Sequence, residues 1–194
     1  SLQPRIWGIL ECAAATAAQT KLRATKGAQL RLKTYVRRNS RDFLRHMAEV
    51  KVRIANLSEA ALIGSLNKQL IEDQGHRNPM TVEELTERVS NWITTGEYRI
   101  VLLLSASQLE EVVGYATYSE SEDEVHLRQF LILPDYRRRG FGSAAFRAMK
   151  QQLWPRNSRV RVEALTHNKA ALTFWKALGF SDYSLALELH SDSE

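Results

Sequence analysis

The segment from 137 to 143 combines residue types that suit the binding of a phosphate group. Glycine lets the backbone approach a ligand closely and adopt positive φ. The free N–H groups at the start of a helix point toward an anion, and the helix dipole favours it. Arginine adds charge-assisted hydrogen-bond donors. An apolar, helix-favouring segment follows directly, so we expect an anion site at Arg137, Arg138, Arg139, Gly140, Phe141, Gly142 and Ser143.

Two nucleotide-binding motifs and a plain surface turn are alternatives for this segment. A P-loop requires Gly-Lys followed by Ser or Thr, which is absent here. The spacing Gly140-x-Gly142-x-x-Ala145, with Glu163 about 20 residues further on, fits a dinucleotide-binding fold. In that fold, however, the first glycine directly follows the strand, whereas residues 134–139 intervene here. A basic solvated turn in front of a helix stays open as a third alternative.

The segments around this site predict an alternation of strands and helices. Apolar and polar residues alternate in the strand segments, and apolar positions repeat every three to four residues in the helical ones. We expect Ser58 to cap the first helix, and Thr81 with Glu84 to form a capping box at the second. The order is β-α-α-β-β-β-α-β-α-β, with strands at 50–54, 100–104, 112–118, 125–133, 160–164 and 185–189 and a turn near Ser107.

Charge divides the chain into two parts. Residues 1–46 hold ten Lys or Arg and two acidic residues, a net charge of +8, whereas residues 47–194 carry a net charge of −3. Hydrophobic residues make up 44% of the 194 residues, which suffices for one domain with a sizeable core and an appendage. We therefore predict a basic helical N-terminal extension at 1–46 and a mildly acidic domain at 47–194.

Composition also disfavours several classes of protein. No apolar run approaches the roughly 18 residues of a membrane helix and no signal-peptide pattern is found, so we expect a cytoplasmic protein without membrane contact. The single cysteine, Cys12, excludes an internal disulfide and fits a reducing compartment. A catalytic role for Cys12 is disfavoured because no histidine lies nearby to activate the thiol. We expect no bound metal.

Two blocks of the sequence resemble the signatures of the GCN5-related N-acetyltransferases, the GNAT family. The first, Arg137-x-x-Gly140-x-Gly142, is similar to the family's Q/R-x-x-G-x-G/A pyrophosphate signature. The second, from Asn168 to Phe180, is similar to N-x-x-A-x-x-(F/L)-Y-x-x-x-G-F. The two blocks lie 26 residues apart with a predicted strand between them. The resemblance covers residues 49–190 and leaves out 1–46.

The resemblance implies an α+β GNAT fold, a mixed and mostly antiparallel sheet with splayed central strands and flanking helices. It also implies direct transfer of an acetyl group from acetyl-CoA to a primary amine of a small molecule, protein or peptide. The N–H groups from Arg138 to Ser143 would hold the pyrophosphate, and the strand at 130–133 would pair with the pantetheine arm. Further implied cofactor-binding residues are Phe130, Leu131, Ile132, Leu133, Asn168, Ala171, Phe174 and Trp175.

Glu163 is the residue that we favour as general base. An ammonium group with an ordinary pKa near about 10.4 must lose a proton before it can attack a thioester. Glu163 lies five residues before Asn168, which resembles the L-E-V-x-x-x-N arrangement of the branch that acetylates ribosomal-protein N-termini. A structural alternative is an ion pair with Arg128 or Arg161. Other candidate bases are Glu72, Asp73, Glu122, Glu124, His126 and His167.

Trp175 departs from the family pattern, which usually has tyrosine at this position. The tyrosine hydroxyl is proposed to protonate the leaving thiolate, whereas an indole N–H donates a hydrogen bond without acting as an acid. We retain Trp175 as a candidate catalytic residue, with an aromatic wall as the structural alternative. Water, Tyr115, Tyr118 or Tyr183 could replace the acid, or the thiolate could leave unaided.

A non-catalytic acyl-CoA-binding regulatory domain is the alternative to an enzyme, because the tyrosine is missing. The expected partners are acetyl-CoA and an amine acceptor. We also consider a homodimer, and nucleic acid as a partner of residues 1–46. The acceptor, which the helices between 58 and 94 would select, is not specified by the sequence.

Overall fold

The computed structural model describes residues 48–106 and 109–189. The predicted extension at 1–46, with Cys12, and the predicted turn at Ser107 lie outside the described residues. Among the described residues, no helix is both long enough and apolar enough to cross a membrane.

Five strands form one sheet in the order β1-β2-β3-β4-β5. Strands β1 to β4 pair antiparallel, and β5 pairs parallel with β4. The sheet is therefore mixed and mostly antiparallel, which confirms the expected fold class. The strands are β1 (Val50–Ile54), β2 (Arg99–Ser105), β3 (Val112–Glu120), β4 (Glu124–Ile132) and β5 (Arg159–Val162).

Within the described residues, four α-helices flank the sheet: α1 (Ala60–Gln74), α2 (Val82–Thr95), α3 (Phe141–Gln152) and α4 (Lys169–Ala177). The expected capping box of α2 is confirmed, because the Thr81 hydroxyl accepts from the Glu84 N–H and the Glu84 carboxylate accepts from the Thr81 N–H. The expected Ser58 cap is wrong. Asn56 caps a short 3-10 helix, Leu57–Glu59, that precedes α1, and its side chain accepts from the N–H of Ser58.

Two hydrophobic clusters cover the two faces of the sheet. Val101 and Leu103 of β2 pack in the cluster with α3 and α4, which we call the α3/α4 face. Ile100, Leu102 and Leu104 pack in the cluster with α1 and α2, the α1/α2 face. Successive side chains of a strand point to opposite faces, so this alternation makes β2 a fully buried strand between two helical layers.

Strands β4 and β5 pair over only four residues and then separate. Their last paired residues are Leu127 and Val162, and β4 continues to Ile132 without β5 beside it. A β-bulge at Arg128 accompanies the separation, since Leu127 pairs with Tyr118 and Gln129 pairs with Thr117. The expected splay is therefore present, and it leaves one side of β4 open between residues 128 and 132.

The predicted last strand at 185–189 is not formed. Residues 181–189 have no regular secondary structure, and all of them are exposed. A strand requires a neighbour to complete its hydrogen-bond ladder, and among the described residues no strand pairs with this segment. The alternation of apolar and polar residues therefore predicted a strand that the structure does not form. The large hydrophobic side chains among them are Tyr183, Leu185, Leu187 and Leu189.

Candidate active site

Helix α3 begins with free backbone donors. Its N-cap is Gly140, and no side chain caps the helix. The first internal hydrogen bond runs from the Ala144 N–H to the Gly140 carbonyl at 3.0 Å. The N–H groups of Phe141, Gly142 and Ser143 precede it and have no acceptor within the helix. These donors are what the predicted anion site requires, and anion binding here stays a prediction.

The backbone in front of α3 turns sharply twice. Arg138 has φ +59° and Gly140 has φ +85°, both in the left-handed region. Glycine adopts this region without strain, whereas arginine does so at a cost of roughly 1–2 kcal/mol. Left-handed residues in a turn can bring successive N–H groups to one side and form a concave anion site. The two left-handed residues of this loop are thus compatible with a concave anion site.

The three arginines of the loop have different surroundings. Arg137 donates from Nε to the Ile132 carbonyl at 2.7 Å and forms an ion pair with Asp73. Arg139 donates to the Asp135 carbonyl at 2.9 Å and lies over the ring of Tyr136. Arg138 makes no hydrogen bond or ion pair with the part of the chain that the structure describes. Arg137 and Arg139 hold the loop together, and Arg138 is free to contact a ligand.

The start of α3 packs closely against β4 and α4. A Cβ atom added to Gly142 would lie 3.0 Å from the Phe174 ring and 3.6 Å from the Ile132 side chain. Phe174 in turn stacks on Phe130, with ring centroids 5.9 Å apart. Glycine at 142 thus permits the contact that places the anion site beside the open side of β4. Of the other predicted strand residues, Leu131 and Leu133 pack into the α1/α2 face.

Asn168 and Trp175 of the second sequence block have structural roles in the fold. The side-chain oxygen Oδ1 of Asn168 accepts from the Ala171 N–H at 3.0 Å and caps α4. This leaves its amide NH₂ as the donor for a ligand. Trp175 is buried on the α3/α4 face, where its ring meets Phe130, Phe146, Phe174 and Phe180 at centroid distances of 4.8 to 6.1 Å. This packing favours the aromatic-wall alternative for Trp175.

Glu163 follows β5 directly, at the point where β4 and β5 separate. Its side chain is 77% exposed, and its Oε1 lies 3.6 Å from Nε2 of His126, whose side chain is 19% exposed. The structural alternative named Arg161 and Arg128 as partners. Instead Arg161 lies 3.7 Å from Glu124, and Arg128 lies over aromatic rings on the α1/α2 face. The Glu163 carboxylate is therefore accessible to an incoming amine.

The other candidate bases are exposed or already paired. Asp73 pairs with Arg137, and Glu124 pairs with Arg159 and Arg161. The His167 ring contacts the Gln74 carbonyl at 3.0 Å. Glu72 and Glu122 are exposed.

The tyrosines considered as acids occupy three different environments. Tyr115 is fully buried on the α1/α2 face, and burial raises the pKa of its hydroxyl, which makes it a weaker acid. Tyr118 lies on the opposite face against Trp154, with ring centroids 5.8 Å apart. Tyr183 is 85% exposed in the segment after α4. Burial also raises the pKa of Tyr118, so that Tyr115 and Tyr118 are both disfavoured as the acid.

The sequence did not predict the cluster of polar side chains that lies between the sheet and helices α1 and α2. Gln129 donates to the Asn67 side chain at 3.0 Å, and Arg88 and Arg128 lie over Trp92. The helical periodicity predicts only that Asn67, Arg88 and Trp92 face the sheet, without indicating what they contact there. The bulge that turns Arg128 toward them leaves no local signal in the sequence.

The comparisons with known proteins assign the family. Residues 67–180, more than half of the chain, match the model of the acetyltransferase (GNAT) family. A thialysine N-epsilon-acetyltransferase of Bos taurus is 27% identical over 155 residues, which cover 74% of this chain and 91% of the relative. The chain belongs to the GNAT family and is an N-acetyltransferase.

Solved structures share the fold at low sequence identity. A possible acetyltransferase from Clostridium difficile 630 has a TM-score of 0.60 at 14% identity, over 75% of this chain and 99% of that chain. An aminoglycoside N-acetyltransferase in complex with CoA has a TM-score of 0.58 at 15% identity, over 75% and 97%. A predicted acetyltransferase with acetyl-CoA from Clostridium acetobutylicum has a TM-score of 0.55 at 16% identity, over 73% and 96%. Among the described residues, no group of three or more metal-ligating side chains is found.

Proposed function

We propose that this N-acetyltransferase uses acetyl-CoA and transfers the acetyl group directly to a primary amine. The uncapped start of α3, beside the unengaged Arg138, carries this proposal. It offers backbone donors and a positive charge where a CoA pyrophosphate would lie. Two structures with the same fold hold CoA or acetyl-CoA, which supports the choice of donor.

The open side of β4 suits the pantetheine arm. Among the described residues, 128–132 lack a strand neighbour on the β5 side. Arg137 occupies the Ile132 carbonyl, and the remaining outward backbone groups of this stretch are available to a ligand. The amide NH₂ of Asn168 and the rings of Phe130 and Phe174 would border the arm. The thioester would then lie near the point where β4 and β5 separate, which is where Glu163 is exposed.

In the proposed reaction, Glu163 accepts a proton from the acceptor ammonium, and the resulting amine attacks the thioester carbonyl. A backbone N–H of β4 donates to the oxygen that becomes negative. When the C–S bond breaks, the sulfur leaves as a thiolate, which an ordinary thiol pKa of about 8.5 makes a fair leaving group. The nitrogen that attacked loses its remaining extra proton to this thiolate or to water, which leaves the neutral amide and CoA. Trp175 is the wall of this site, and any catalytic part it takes is limited to donating a hydrogen bond.

The acceptor is proposed to be the side-chain amine of a small amino acid, and more broadly a small-molecule or peptide amine. The name of the Bos taurus relative supports this choice, since thialysine is an amino acid with a terminal amine. That relative aligns over nearly its whole length, so the acceptor-selecting helices lie within the aligned region.

An acceptor screen that measures release of free CoA tests the proposed function. Acetyl-CoA should be consumed with thialysine, lysine, diamines or aminoglycosides at rates that depend on the amine. Binding of CoA without turnover on any amine would instead favour the non-catalytic alternative.

The role of Glu163 has a separate test. Glu163→Gln should lower kcat/KM at neutral pH by about 100-fold or more and should lower it less at high pH, where free amine is more abundant. Glu49→Gln, which removes an exposed carboxylate before β1, is the matched control. If Glu163→Gln leaves the pH profile unchanged, Glu163 is not the base.

Several features of the whole protein stay predictions. These are the division into 1–46 and 47–194, the cytoplasmic location, a homodimer, and nucleic-acid binding by residues 1–46. A DNA affinity that falls steeply with salt and vanishes on removal of 1–46 would support the last of these. Salt-insensitive binding, or binding that persists after the removal, would contradict it.

A further inference from the structure

Two arginines on the α1/α2 face share one tryptophan ring. The guanidinium carbon of Arg88 lies 4.9 Å from the centroid of Trp92, and that of Arg128 lies 5.6 Å from it. Arg128 also lies 5.3 Å from the ring of Tyr98, and Tyr98 packs against Trp92 with centroids 4.8 Å apart. The rings hold both planar cations close together on the side of the sheet that α1 and α2 cover.

Neither cation has a carboxylate partner. Among the residues that the structure describes, no Asp or Glu lies within salt-bridge distance of Arg88 or Arg128, whereas Arg53, Arg99 and Arg137 each have one. Nε of Arg88 is buried without a hydrogen-bond partner. Burial, followed by the charge of Arg128, lowers the pKa of Arg88. Arg128 is exposed and Arg88 is half-buried. Two like charges thus lie on one face without a carboxylate between them, at a place that solvent and a ligand can reach.

The bulge in β4 produces this arrangement. It places Arg128 and Gln129, which are consecutive, on the same face, because Arg128 meets Trp92 of α2 and Gln129 donates to Asn67 of α1. In a regular strand these two side chains would point to opposite faces. The bulge therefore turns an arginine toward the acceptor side, at the residue that follows the last β4–β5 pair.

Further polar atoms on this face are buried without a partner in the protein. They belong to side chains of β3, β4 and α1, and buried polar groups are ordinarily hydrogen-bonded. A polar ligand or ordered water would satisfy them. The atoms are the Tyr115 hydroxyl, the Thr117 hydroxyl, the Asn67 amide nitrogen and the Gln129 amide oxygen.

We propose that Arg88 and Arg128 bind a carboxylate of the acceptor, so that the preferred acceptor is a small amine that also carries a carboxylate, such as a free amino acid. This proposal rests on the proposed function, whose acceptor class it narrows. Arg128 follows Leu127 and Glu163 follows Val162, the last residues that pair β4 with β5. The reacting amine at Glu163 and the carboxylate at Arg128 would therefore belong to one acceptor. A purely cationic polyamine would meet two unneutralised positive charges instead.

Matched acceptors test the proposal directly. Diaminobutyrate, ornithine and lysine are compared with their carboxamides and with the diamines that lack the carboxyl group. For the best of the three chain lengths, kcat/KM should be at least about tenfold higher for the carboxylate than for the carboxamide, because charge-assisted hydrogen bonds to two arginines are lost. The effect should lie mainly in KM, since the carboxylate is remote from the bond that breaks.

The variants Arg128→Gln and Arg88→Gln should abolish this preference. Each should raise KM for the amino acid about tenfold while changing KM for the diamine little or lowering it. Arg128→Lys, which keeps the charge, should restore part of the preference. Arg156→Gln, which removes an exposed arginine between α3 and β5, is the control. Thermal unfolding checks that each variant keeps the wild-type fold.

A binding measurement separates this proposal from the proposed function. Norleucine, which is lysine without its side-chain amine, is titrated into the CoA-saturated protein against norleucinamide. Tighter binding of norleucine, lost in Arg88→Gln and Arg128→Gln, supports the carboxylate site even if no amine is acetylated. Equal binding of the two, or acetylation of diamines as efficient as that of amino acids, overturns it and leaves the acetyltransferase activity in place.

Discussion

Helices α2 and α3 meet the same physical requirement in opposite ways. Each must satisfy backbone N–H groups at its first turn. In α2 the chain does so itself, with the Thr81 hydroxyl and the Glu84 carboxylate in a reciprocal box and with Glu83 adding negative charge. In α3 the N-cap is a glycine that follows three arginines, and no side chain of the described part of the chain caps the helix. The first arrangement stabilises the fold, and the second fits the proposed role of these donors in binding an anionic ligand.

The largest expected effect comes from giving α3 the acidic first turn of α2. Ser143→Asp places a carboxylate among the free N–H groups and should weaken CoA binding by about 100-fold, because like charges about 4 Å apart repel by about 1–4 kcal/mol. Ser143→Asn, nearly the same size without the charge, should bind CoA within about threefold of wild type. Calorimetric titration with CoA measures both. Equal affinities for the two variants would refute the anion site at α3.

A smaller effect is expected at Arg138, whose side chain has no partner in the described part of the chain. Arg138→Asn removes the charge and keeps a residue type that tolerates positive φ. CoA affinity should fall about tenfold at low salt, and the difference from wild type should shrink at high salt through screening. Arg156→Gln serves as control. A loss of similar size in the control would show a general charge effect instead of a contact.

The reverse change, loss of the cap at α2, should act on stability alone. Thr81→Ala removes the hydroxyl acceptor and should lower the free energy of unfolding by about 1 kcal/mol. For a domain of this size the midpoint of thermal unfolding should fall by about 2–4 °C. CoA affinity of the folded variant should not change. A clear loss of CoA affinity would contradict the separation of structural and ligand-binding helix starts.

The smallest expected effect is a pH dependence of thermal stability that arises from Glu83 in the first turn of α2. Hydrogen bonds from its own backbone N–H and from the Thr81 hydroxyl lower the pKa of Glu83. A carboxyl with a lowered folded-state pKa contributes stability above its unfolded pKa, near about 4.3, and loses it as pH falls through the folded value. Wild type should therefore unfold at a slightly higher temperature than Glu83→Gln at pH 7, and the difference should vanish in acid. A constant difference across this range would exclude the titration of Glu83 as its source.

Several features of the fold were predictable because they depend on residues close together in the chain. The Thr81–Glu84 box spans three residues, and the Gly-rich start of α3 spans fewer than ten. Asn56 displaced the expected Ser58 cap within the same short segment, because a 3-10 turn inserted before α1 moved the cap position upstream. The prediction of a strand at 185–189 was wrong because a strand forms only with a pairing partner, which lies far away in the sequence.

The sequence by itself determined where an arginine- and glycine-rich turn leads into a helix, which helix is capped, and the α+β order of elements, because local hydrogen bonding and side-chain periodicity set these. Only the tertiary structure decided how the arginines are used. Asp73 occupies Arg137 across 64 residues of chain, and this leaves Arg138 as the unengaged arginine of the loop. The bulge at Arg128 turns a strand residue toward Trp92, 36 positions earlier, by changing the pairing of β3 with β4. Such contacts depend on the register between strands and on packing, which no short stretch of sequence encodes.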